Sequence, residues 1–586
     1  MKRTANLEAF IIKEKSCLYF IGRKKKFLAL FLGLALVLVF SGEVRSQSTD
    51  FRLNTRSYEL LDQIAVQSED LFFTSVKPYS RKKGHHLAYS FDGGNNKKLS
   101  YNRNFLLMES REYLGDSLFG AADKPFLGAF YKYRSDLVSV SNEDFDLHVN
   151  PVGELGVGYD ADVSSPLFVN TRGIDIRGTI DNKVSFYTFI HENQLRLPSY
   201  VQNVQDTVGI IPYEGFWKEF GGDAYDFLRA QGYVDFGVTK HISAQFGFGR
   251  HFIGNGKRSL ILSDFSNSYP YLRLTIEVWK IKYTNIFAEM VADVFFFEGG
   301  TLGSQSYPKK YFALHHLDIA ITDDFHLGLF ESVLHGRPDS LGGTDFQPEY
   351  LNPIIFYGAA EQQDGSADNV IVGMDFSWDL WKKMQLYGQF TLDELVISEL
   401  LSNSGWWGNK YGFQLGLKHF DFIVPTLNWQ VEFNQARPFT YAHDGDFTSY
   451  THYRQPLAHP LGANFRELLI TGNFQPLPKL VLEGTMLFAD YGSGPVGGFS
   501  IGRDPLINTK NRGVGLENDF DNRQGQGIAS NLALFQFTGS YQLMHNLIFD
   551  VQLIRRVEDR EGSPSMDSNI FFSGLRWNIA RRNYLF

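Results

Sequence analysis

The sequence has few of the residues that mark several common classes of protein. Its 586 residues include one cysteine, Cys17, so a fold stapled by disulfides is excluded. Charged residues make up 21% and aromatic residues 15%, a balance that argues against a disordered chain. The body of the chain has no long basic stretch and the formal net charge is −9, so we expect no nucleic-acid partner.

The N-terminal segment has the three parts of a secretory signal peptide. The basic stretch Arg23–Lys26 precedes the apolar run Phe27–Phe40, and Val44 and Ser46 suit the −3 and −1 positions of a cleavage site. The apolar run is shorter than the roughly 20 residues that a membrane-spanning helix needs. We therefore predict that residues 1–46 are a signal peptide, which is removed before Gln47.

The rest of the chain alternates apolar and polar residues with the period of a β-strand. Leu427, Trp429 and Val431, for example, alternate with Asn428 and Gln430. After Ser46 no apolar run approaches the length of a spanning helix, so insertion into a membrane requires a β-barrel. Alternation alone does not separate such a barrel from a soluble sandwich, because only the environment of the two faces differs.

The spacing of the strands separates these two folds. We predict strands near residues 144–152, 170–179, 184–193, 231–239, 243–250, 270–279, 281–294, 313–321, 324–333, 369–379, 383–393, 411–420, 425–434, 464–474, 479–490, 533–543, 546–557 and 569–577. From the second strand onward, short and long connections alternate, which is typical of an outer-membrane barrel with its short turns in the periplasm. The prediction is an all-β fold: a transmembrane antiparallel barrel of about 18 strands over residues 141–586, in the outer membrane of a Gram-negative bacterium and in contact with its lipid.

Residues 47–140 differ from the barrel and are predicted to form a periplasmic helical or plug segment. The stretch Thr55–Ser68 places Tyr58, Leu61 and Ile64 on one face of an amphipathic helix. This helix either caps the periplasmic mouth of the barrel or docks a periplasmic partner, and we favour the cap. Residues 77–83 are predicted to form a turn, and residues 125–134 are left out of the strand count because an even number is required.

The C-terminal residue is aromatic. An aromatic residue at the end of the last strand is a feature that the barrel-insertion machinery commonly recognises, and Phe586 is placed there by this prediction. We therefore expect that machinery to be a partner of the chain.

Several motifs resemble the capsule-assembly Wzi family, including its RemB-like members from gliding bacteria. They are the stretches 249–264 (GRHFIGNGKRSLILSD), 349–353 (EYLNP), 365–370 (GSADNV) and 388–394 (GQFTLDE), with 170–173 (NTRG) and 177–178 (RG). The resemblance runs from about Tyr58 to the C-terminus. It implies an 18-stranded outer-membrane barrel with a periplasmic helical piece, acting as a lectin that holds capsular polysaccharide or exopolysaccharide at the cell surface.

Aromatic and basic residues in the long loops are candidates for contact with sugars. Flat aromatic faces suit the apolar side of a sugar ring, and arginine forms bidentate contacts with the carboxylates of uronic acids. The candidates are Trp217, Trp406, Trp407, Tyr453 and Arg454. The alternative is that these aromatic side chains belong to the girdle at the membrane interface.

The loop from Arg250 to Asp264 also carries Lys257 and Arg258, with His251 beside Arg250. These basic groups could attract an acidic polysaccharide. Alternatively, Arg258 and Asp264 could pair with each other to hold the loop folded inside the barrel.

No catalytic centre, metal site or cofactor site is predicted. Ser259 lies outside any G-x-S-x-G setting, and Glu331 and Glu349 have no defined separation as a carboxylate pair. Loop 491–532 lacks the regular ligand spacing of a calcium site.

Two hypotheses remain: a polysaccharide-binding barrel that supports surface assembly or gliding motility, and a diffusion porin. They differ in whether the lumen is plugged or open.

Overall fold

The computed structural model describes residues 48–114, 117–292, 308–336, 346–353, 356–359, 368–445, 447–495, 498–512 and 519–586. The predicted signal peptide lies outside the described residues, as do parts of the connection between residues 336 and 368 and part of loop 491–532. In the described part, 18 antiparallel strands form one closed barrel. Its strands are β1 (Phe145–Asp160), β2 (Leu167–Ile180), β3 (Val184–Arg196), β4 (Ala224–Gly237), β5 (Ile242–Gly249), β6 (Tyr269–Val278), β7 (Ile281–Val291), β8 (Lys309–Ala320), β9 (Phe325–His335), β10 (Asn369–Leu380), β11 (Met384–Glu394), β12 (Lys410–His419), β13 (Leu427–Ala436), β14 (Phe465–Leu477), β15 (Leu480–Ser493), β16 (Ile528–Met544), β17 (Leu547–Arg560) and β18 (Met566–Trp577).

The barrel closes where its last strand pairs with its first, with Trp577 opposite Gly153. The predicted strand number of 18 is therefore confirmed. Shorter strands lie outside this ring of 18, at Val76–Lys77, Val138–Ser141, Lys218–Phe220, Phe252–Ile253, Thr451–His452 and Gln455–Pro456. Val138–Ser141 pairs with residues 146–149 of β1, whereas the pairing of β18 with β1 ends at Gly153.

The two faces of the barrel wall are the reverse of those of a soluble sandwich. On β1, Leu155, Val157 and Tyr159 are exposed on the outer face, whereas His148 and Asn150 are buried on the inner face. On β18, Phe571 and Leu575 are likewise exposed on the outer face. This arrangement suits hydrocarbon outside and a polar interior, as in a transmembrane barrel.

The connections differ at the two ends of the barrel. Tight turns such as residues 181–183 and 381–383 lie at one end, which we call the short-turn end. Asp181, Asn182, Trp381 and Lys382 have positive φ there, as two-residue hairpin turns require. The long connections 197–223, 250–268, 395–409, 437–464 and 494–527 lie at the other, the long-loop end.

Helices of the N-terminal segment occupy the mouth at the short-turn end. They are α1 (Arg56–Gln67), α2 (Arg81–Ser90) and α3 (Lys97–Glu109). Two further helices, α4 (Ser199–Val208) and α5 (Ile397–Leu401), lie in long loops. Short 3₁₀ segments lie at Arg111–Tyr113, Pro348–Leu351 and Thr509–Arg512. The predicted helix is α1, and its predicted face is buried. No helix among the described residues is long and apolar enough to cross a membrane.

A turn was predicted over residues 77–83, but this prediction was wrong for residues 81–83. Arg81 already belongs to α2, because the Ser80 hydroxyl accepts a hydrogen bond from the Lys83 amide and caps the helix. Helix α3 was not predicted. Its apolar residues give almost no amphipathic pattern, and Asn96 begins it by accepting hydrogen bonds from the amides of Lys98 and Leu99.

Polar contacts fasten these helices to the strand ends. Asp62 of α1 forms an ion pair with Lys418 at 2.8 Å, and Glu109 of α3 contacts the His545 ring at 2.7 Å. Burial alone would raise the pKa of Glu109, but the hydrogen bond from His545 and the nearby Arg81 charge hold it well below its usual value. The segment therefore lies where a cap of the mouth would lie, in keeping with the favoured alternative.

The C-terminal residue does not end the last strand, so that prediction was wrong. Strand β18 ends at Trp577, and residues 578–586 turn back into the lumen. There the Arg556 side chain donates to the Phe586 carbonyl at 3.0 Å, and the Tyr200 hydroxyl donates to the Tyr584 carbonyl at 2.9 Å. An aromatic residue does end the strand, but it is Trp577.

Gly416 of β12 provides a test of the barrel's inner packing. A side chain there would overlap the ring of Tyr387, whose hydroxyl donates to Glu432 at 2.7 Å. We expect Gly416→Val to destabilise the barrel by about 1–3 kcal/mol through overpacking. The measurement is the urea midpoint of unfolding in detergent, followed by the heat-modifiable migration of the folded barrel in gels.

Gly484→Val is the matched control, because a Cβ at Gly484 would meet no atom within 4 Å. Equal midpoints for the two variants would contradict the inner packing described here.

Candidate functional site

Residues 250–268 form a loop that folds from the long-loop end into the lumen, and we call it the plug loop. Its short strand Phe252–Ile253 pairs antiparallel with Val76–Lys77 of the N-terminal segment. The Gly254 amide extends this contact by donating to the Ser75 carbonyl at 2.6 Å. Segments that enter the barrel from opposite ends therefore meet inside it.

A buried ion pair fixes the plug loop to the wall. Arg258 donates to both carboxylate oxygens of Glu467 on β14, at 3.0 and 2.9 Å. Glu467 also contacts His459 and Asn434, each at 3.1 Å. Burial alone would lower the pKa of Arg258, but the Glu467 carboxylate raises it above its usual value. Both side chains are nearly inaccessible to solvent, so their charges are satisfied within the protein.

The partner predicted for Arg258 was wrong. Asp264 lies in the same loop but accepts a hydrogen bond from the Asn54 side chain at 2.5 Å instead. The strand residue Glu467 takes its place because inward positions of β14 line the lumen that the loop enters. Sequence reasoning missed Glu467, although a charged residue at an inward strand position is a signal that could have identified it.

Other basic residues of the plug loop also have partners within the protein. Arg250 donates to the carbonyls of Tyr213 and Asp264, each at 2.9 Å. His251 is fully buried, and its ring lies 4.5 Å from that of Tyr271. Burial lowers the pKa of His251 well below its usual value, so the ring is neutral near pH 7.

Lys257 is the more accessible cation of the plug loop. Its ammonium group pairs with Glu59 of α1 at 3.0 Å, and both side chains are partly open to solvent. Its backbone amide donates to Glu432 at 2.8 Å. A role of the five candidates in this loop in polysaccharide binding stays a prediction.

Residues 437–464 cover the plug loop on the side of the long loops. The hydroxyl of Tyr441 donates to the Leu260 carbonyl at 2.8 Å, and that of Tyr450 donates to the Ile261 carbonyl at 2.7 Å. The rings of the two tyrosines are stacked. Apolar residues of both loops and of the C-terminal tail join one buried cluster, which includes Leu260, Ile261, Leu262, Phe265, Tyr441, Tyr450, Leu457 and Phe586. The part of the lumen nearest the long-loop end therefore holds a packed apolar core.

Trp406 and Trp407 are half-buried and belong to a group that we call the tryptophan cluster, in which Phe439 is buried. It consists of these two residues with Phe439 and Phe520, whose rings lie 5.9 Å from Trp407 and 5.2 Å from Trp406 respectively. The Arg512 guanidinium lies 3.9 Å from the centre of the Trp407 ring. The cluster joins three long loops, and its members outside loop 395–409 were missed because nothing local in the sequence links them.

Tyr453 and Arg454 occupy the tip of a short hairpin, with φ of 50° and 58°. The Tyr453 ring lies 5.5 Å from that of Phe216, and the Arg454 guanidinium lies 5.9 Å from the Phe216 ring. Trp217, the residue after Phe216, packs edge-on against Tyr225, with ring centroids 4.6 Å apart. We call Phe216, Trp217, Tyr453 and Arg454 the hairpin-tip cluster.

Both clusters differ from girdle residues in their position along the chain. They belong to loops beyond the strand ends, rather than to strand positions that face lipid. At the opposite end, Trp279 and Trp381 are highly exposed in tight turns, as expected for interfacial anchors. Each cluster thus places a guanidinium group beside aromatic rings. Arg512 pairs with Asp519 at 3.1 Å, and Arg454 donates to the Val208 carbonyl at 3.0 Å.

A solved outer-membrane barrel has a similar architecture. Wzi, described as an outer-membrane protein involved in group 1 capsule assembly in Escherichia coli and as a carbohydrate-binding β-barrel, matches with a TM-score of 0.54. The match covers 92% of this chain and 100% of Wzi, at 13% identity. The chain has the fold of Wzi. The expectation of a Wzi-like barrel is therefore confirmed at the level of architecture.

Other solved barrels match less well than Wzi does. Pseudomonas aeruginosa OccK8 (OprE) has a TM-score of 0.39 at 9% identity, covering 74% of this chain and 97% of its own. OprD from the same organism has a TM-score of 0.38 at 11% identity, covering 74% and 94%. No protein-family profile and no curated protein sequence matches the chain.

The buried pair can be tested by comparing two adjacent cations of the plug loop. We expect Arg258→Gln to lower the free energy of unfolding by about 3–5 kcal/mol, because it leaves the Glu467 carboxylate buried without its charged partner. Loosening of the plug should then appear as ion conductance in planar bilayers. Lys257→Gln removes a solvent-open pair worth about 0–1 kcal/mol and should leave conductance unchanged. Identical conductance of the two variants would contradict this role of Arg258.

Proposed function

We propose that this chain is a Wzi-type outer-membrane protein that binds capsular polysaccharide or exopolysaccharide at the cell surface. In this proposal the short-turn end faces the periplasm and the long-loop end faces the medium. Support for surface assembly or gliding motility would follow from holding polysaccharide there. The barrel uses no cofactor in this role, and its helical mouth is where a periplasmic partner would meet it.

The observation that carries this proposal is the occupied lumen beneath the long loops. The plug loop, the N-terminal segment and the C-terminal tail all contact one another or the wall inside the barrel. A diffusion porin keeps an aqueous path at this position. An occupied interior leaves the outer loop surface as the place for ligand contact, which favours a binding protein over a porin.

The two aromatic clusters are the parts of that surface best suited to an acidic glycan. Each offers ring faces beside a guanidinium group, Arg512 at Trp407 and Arg454 at Phe216. Arginine at such a site can hold a carboxylate, while the rings cover the apolar face of the sugar. Binding of this kind weakens as salt screens the charges.

Substitution of both tryptophans tests the binding proposal. We expect Trp406→Ala with Trp407→Ala to weaken binding of an acidic polysaccharide at least tenfold, since loss of a central aromatic or arginine contact often costs about 2 kcal/mol or more. Tyr453→Ala with Arg454→Ala should have a comparable effect and should reduce the salt dependence. Binding is measured by surface plasmon resonance on immobilised capsular polysaccharide.

Trp381→Ala is the matched control, because Trp381 is exposed at the opposite, short-turn end. Unchanged affinity in both double variants would remove the clusters as contact sites. Steady, large single-channel currents from the unaltered protein would favour the porin instead.

A further inference from the structure

Residues 118–134 form a small hairpin at the short-turn end, which we call the rim hairpin. The Ala122 amide donates to the Lys132 carbonyl at 3.0 Å, and the Arg134 amide donates to the Gly120 carbonyl at 2.9 Å. Its tip bends so that Phe126 bridges to Phe130. This stretch lies within residues 47–140, the predicted periplasmic helical or plug segment, and no function is predicted for it.

The base of the rim hairpin is held firmly by the protein. Arg111 donates to the carbonyls of Ser117 and Phe119, at 3.1 and 3.0 Å. The Arg111 guanidinium also lies 3.1 Å from the centre of the Tyr133 ring, and Phe119 packs against the apolar core of the helices. The hairpin therefore projects from a fixed support.

The tip of the rim hairpin exposes large apolar side chains. At the tip, Phe126 is 62% exposed and Leu127 76%, and Leu118 at the base of the hairpin is 77% exposed. Gly128 and Ala129 between Leu127 and Phe130 are exposed as well. The uninterrupted run of exposed apolar residues from Phe126 to Ala129 indicates an interaction surface, because water solvates such a run poorly.

The rim hairpin is continuous with the lipid-facing surface of the barrel. The Tyr131 ring stacks on that of Trp577, with centroids 6.3 Å apart and planes 13° apart. Trp577 faces outward, since its neighbour Arg576 faces the lumen and pairs with Asp550, whereas Leu575 is exposed on the outer face. The apolar tip thus adjoins the barrel surface where the lipid-facing side chains of β18 end.

Charged residues around the tip suit the headgroups of phospholipids. Within residues 118–134, Lys124, Lys132 and Arg134 are exposed, against one exposed carboxylate, Asp123. Aromatic residues at the interface and basic residues beside an inserted apolar edge are typical of segments that lie in a membrane surface. The Tyr131–Trp577 stack supplies the aromatic part.

We propose that the rim hairpin inserts Phe126 and Leu127 into the bilayer leaflet at the short-turn end and is a second lipid contact of this protein. A bilayer fits this patch better than a protein partner does, because the patch extends a surface that already faces hydrocarbon. The hairpin is thereby a lateral anchor that ties the helical cap to the membrane beside the seam between β18 and β1.

Site-specific fluorescence tests this proposal. Residues 47–586 contain no cysteine, so Leu127→Cys gives a single attachment point for an environment-sensitive dye. The labelled full mature barrel is inserted into vesicles of phosphatidylethanolamine and phosphatidylglycerol, with and without nitroxide-bearing phospholipid. We expect lipid-borne nitroxide to quench the dye strongly and aqueous iodide to quench it weakly.

Two further cysteines calibrate the result. Leu155→Cys marks the lipid-facing wall of β1, where Leu155 is 62% exposed, and Tyr89→Cys marks helix α2, where Tyr89 is 63% exposed. Insertion is supported if the dye at position 127 is quenched by nitroxide and by iodide to the same extent as the dye at position 155. Quenching that follows position 89, with full access to iodide, overturns it. Protection from iodide that arises only in whole envelopes and not in lipid vesicles also overturns it and favours a protein partner.

Discussion

A barrel of 18 strands encloses more space than its own inward side chains fill, and the polar inner wall needs partners. In this chain the partners are other parts of the same polypeptide. Arg258 of the plug loop meets Glu467 of the wall, Asp62 of α1 meets Lys418, and Arg556 holds the C-terminal tail. Without these segments the inward-facing charges would lie in water or remain unpaired.

This constraint separates the interior of the barrel from its outer surface. Residues from the two ends meet where Phe252–Ile253 pairs with Val76–Lys77, and apolar side chains pack above that junction. Inner polar groups such as Glu467, Arg258 and Arg556 are thus committed to structure. Groups that remain partly exposed lie in the loops, where the tryptophan cluster and the hairpin-tip cluster each join segments far apart in the chain.

The sequence predicted the elements that depend on local pattern. Alternation located all 18 strands within a few residues at most ends, and the amphipathic face of α1 was found because its apolar residues recur with helical spacing. Helix α3 escaped because it lacks such a face. The candidate site residues do lie in loops. The partner of Arg258 was missed although its inward strand position was a signal, and no local signal pointed to the companions of Trp407.

The sequence by itself thus determined the class of fold, the strand number and the end that carries the long loops, because period-two patterning and turn chemistry act over a few residues. Only the tertiary structure decided that Arg258 pairs with Glu467 rather than Asp264, and that Phe586 turns back into the lumen beyond Trp577. Those contacts join residues far apart in the chain, and they are selected by which groups the closed barrel brings within hydrogen-bonding distance.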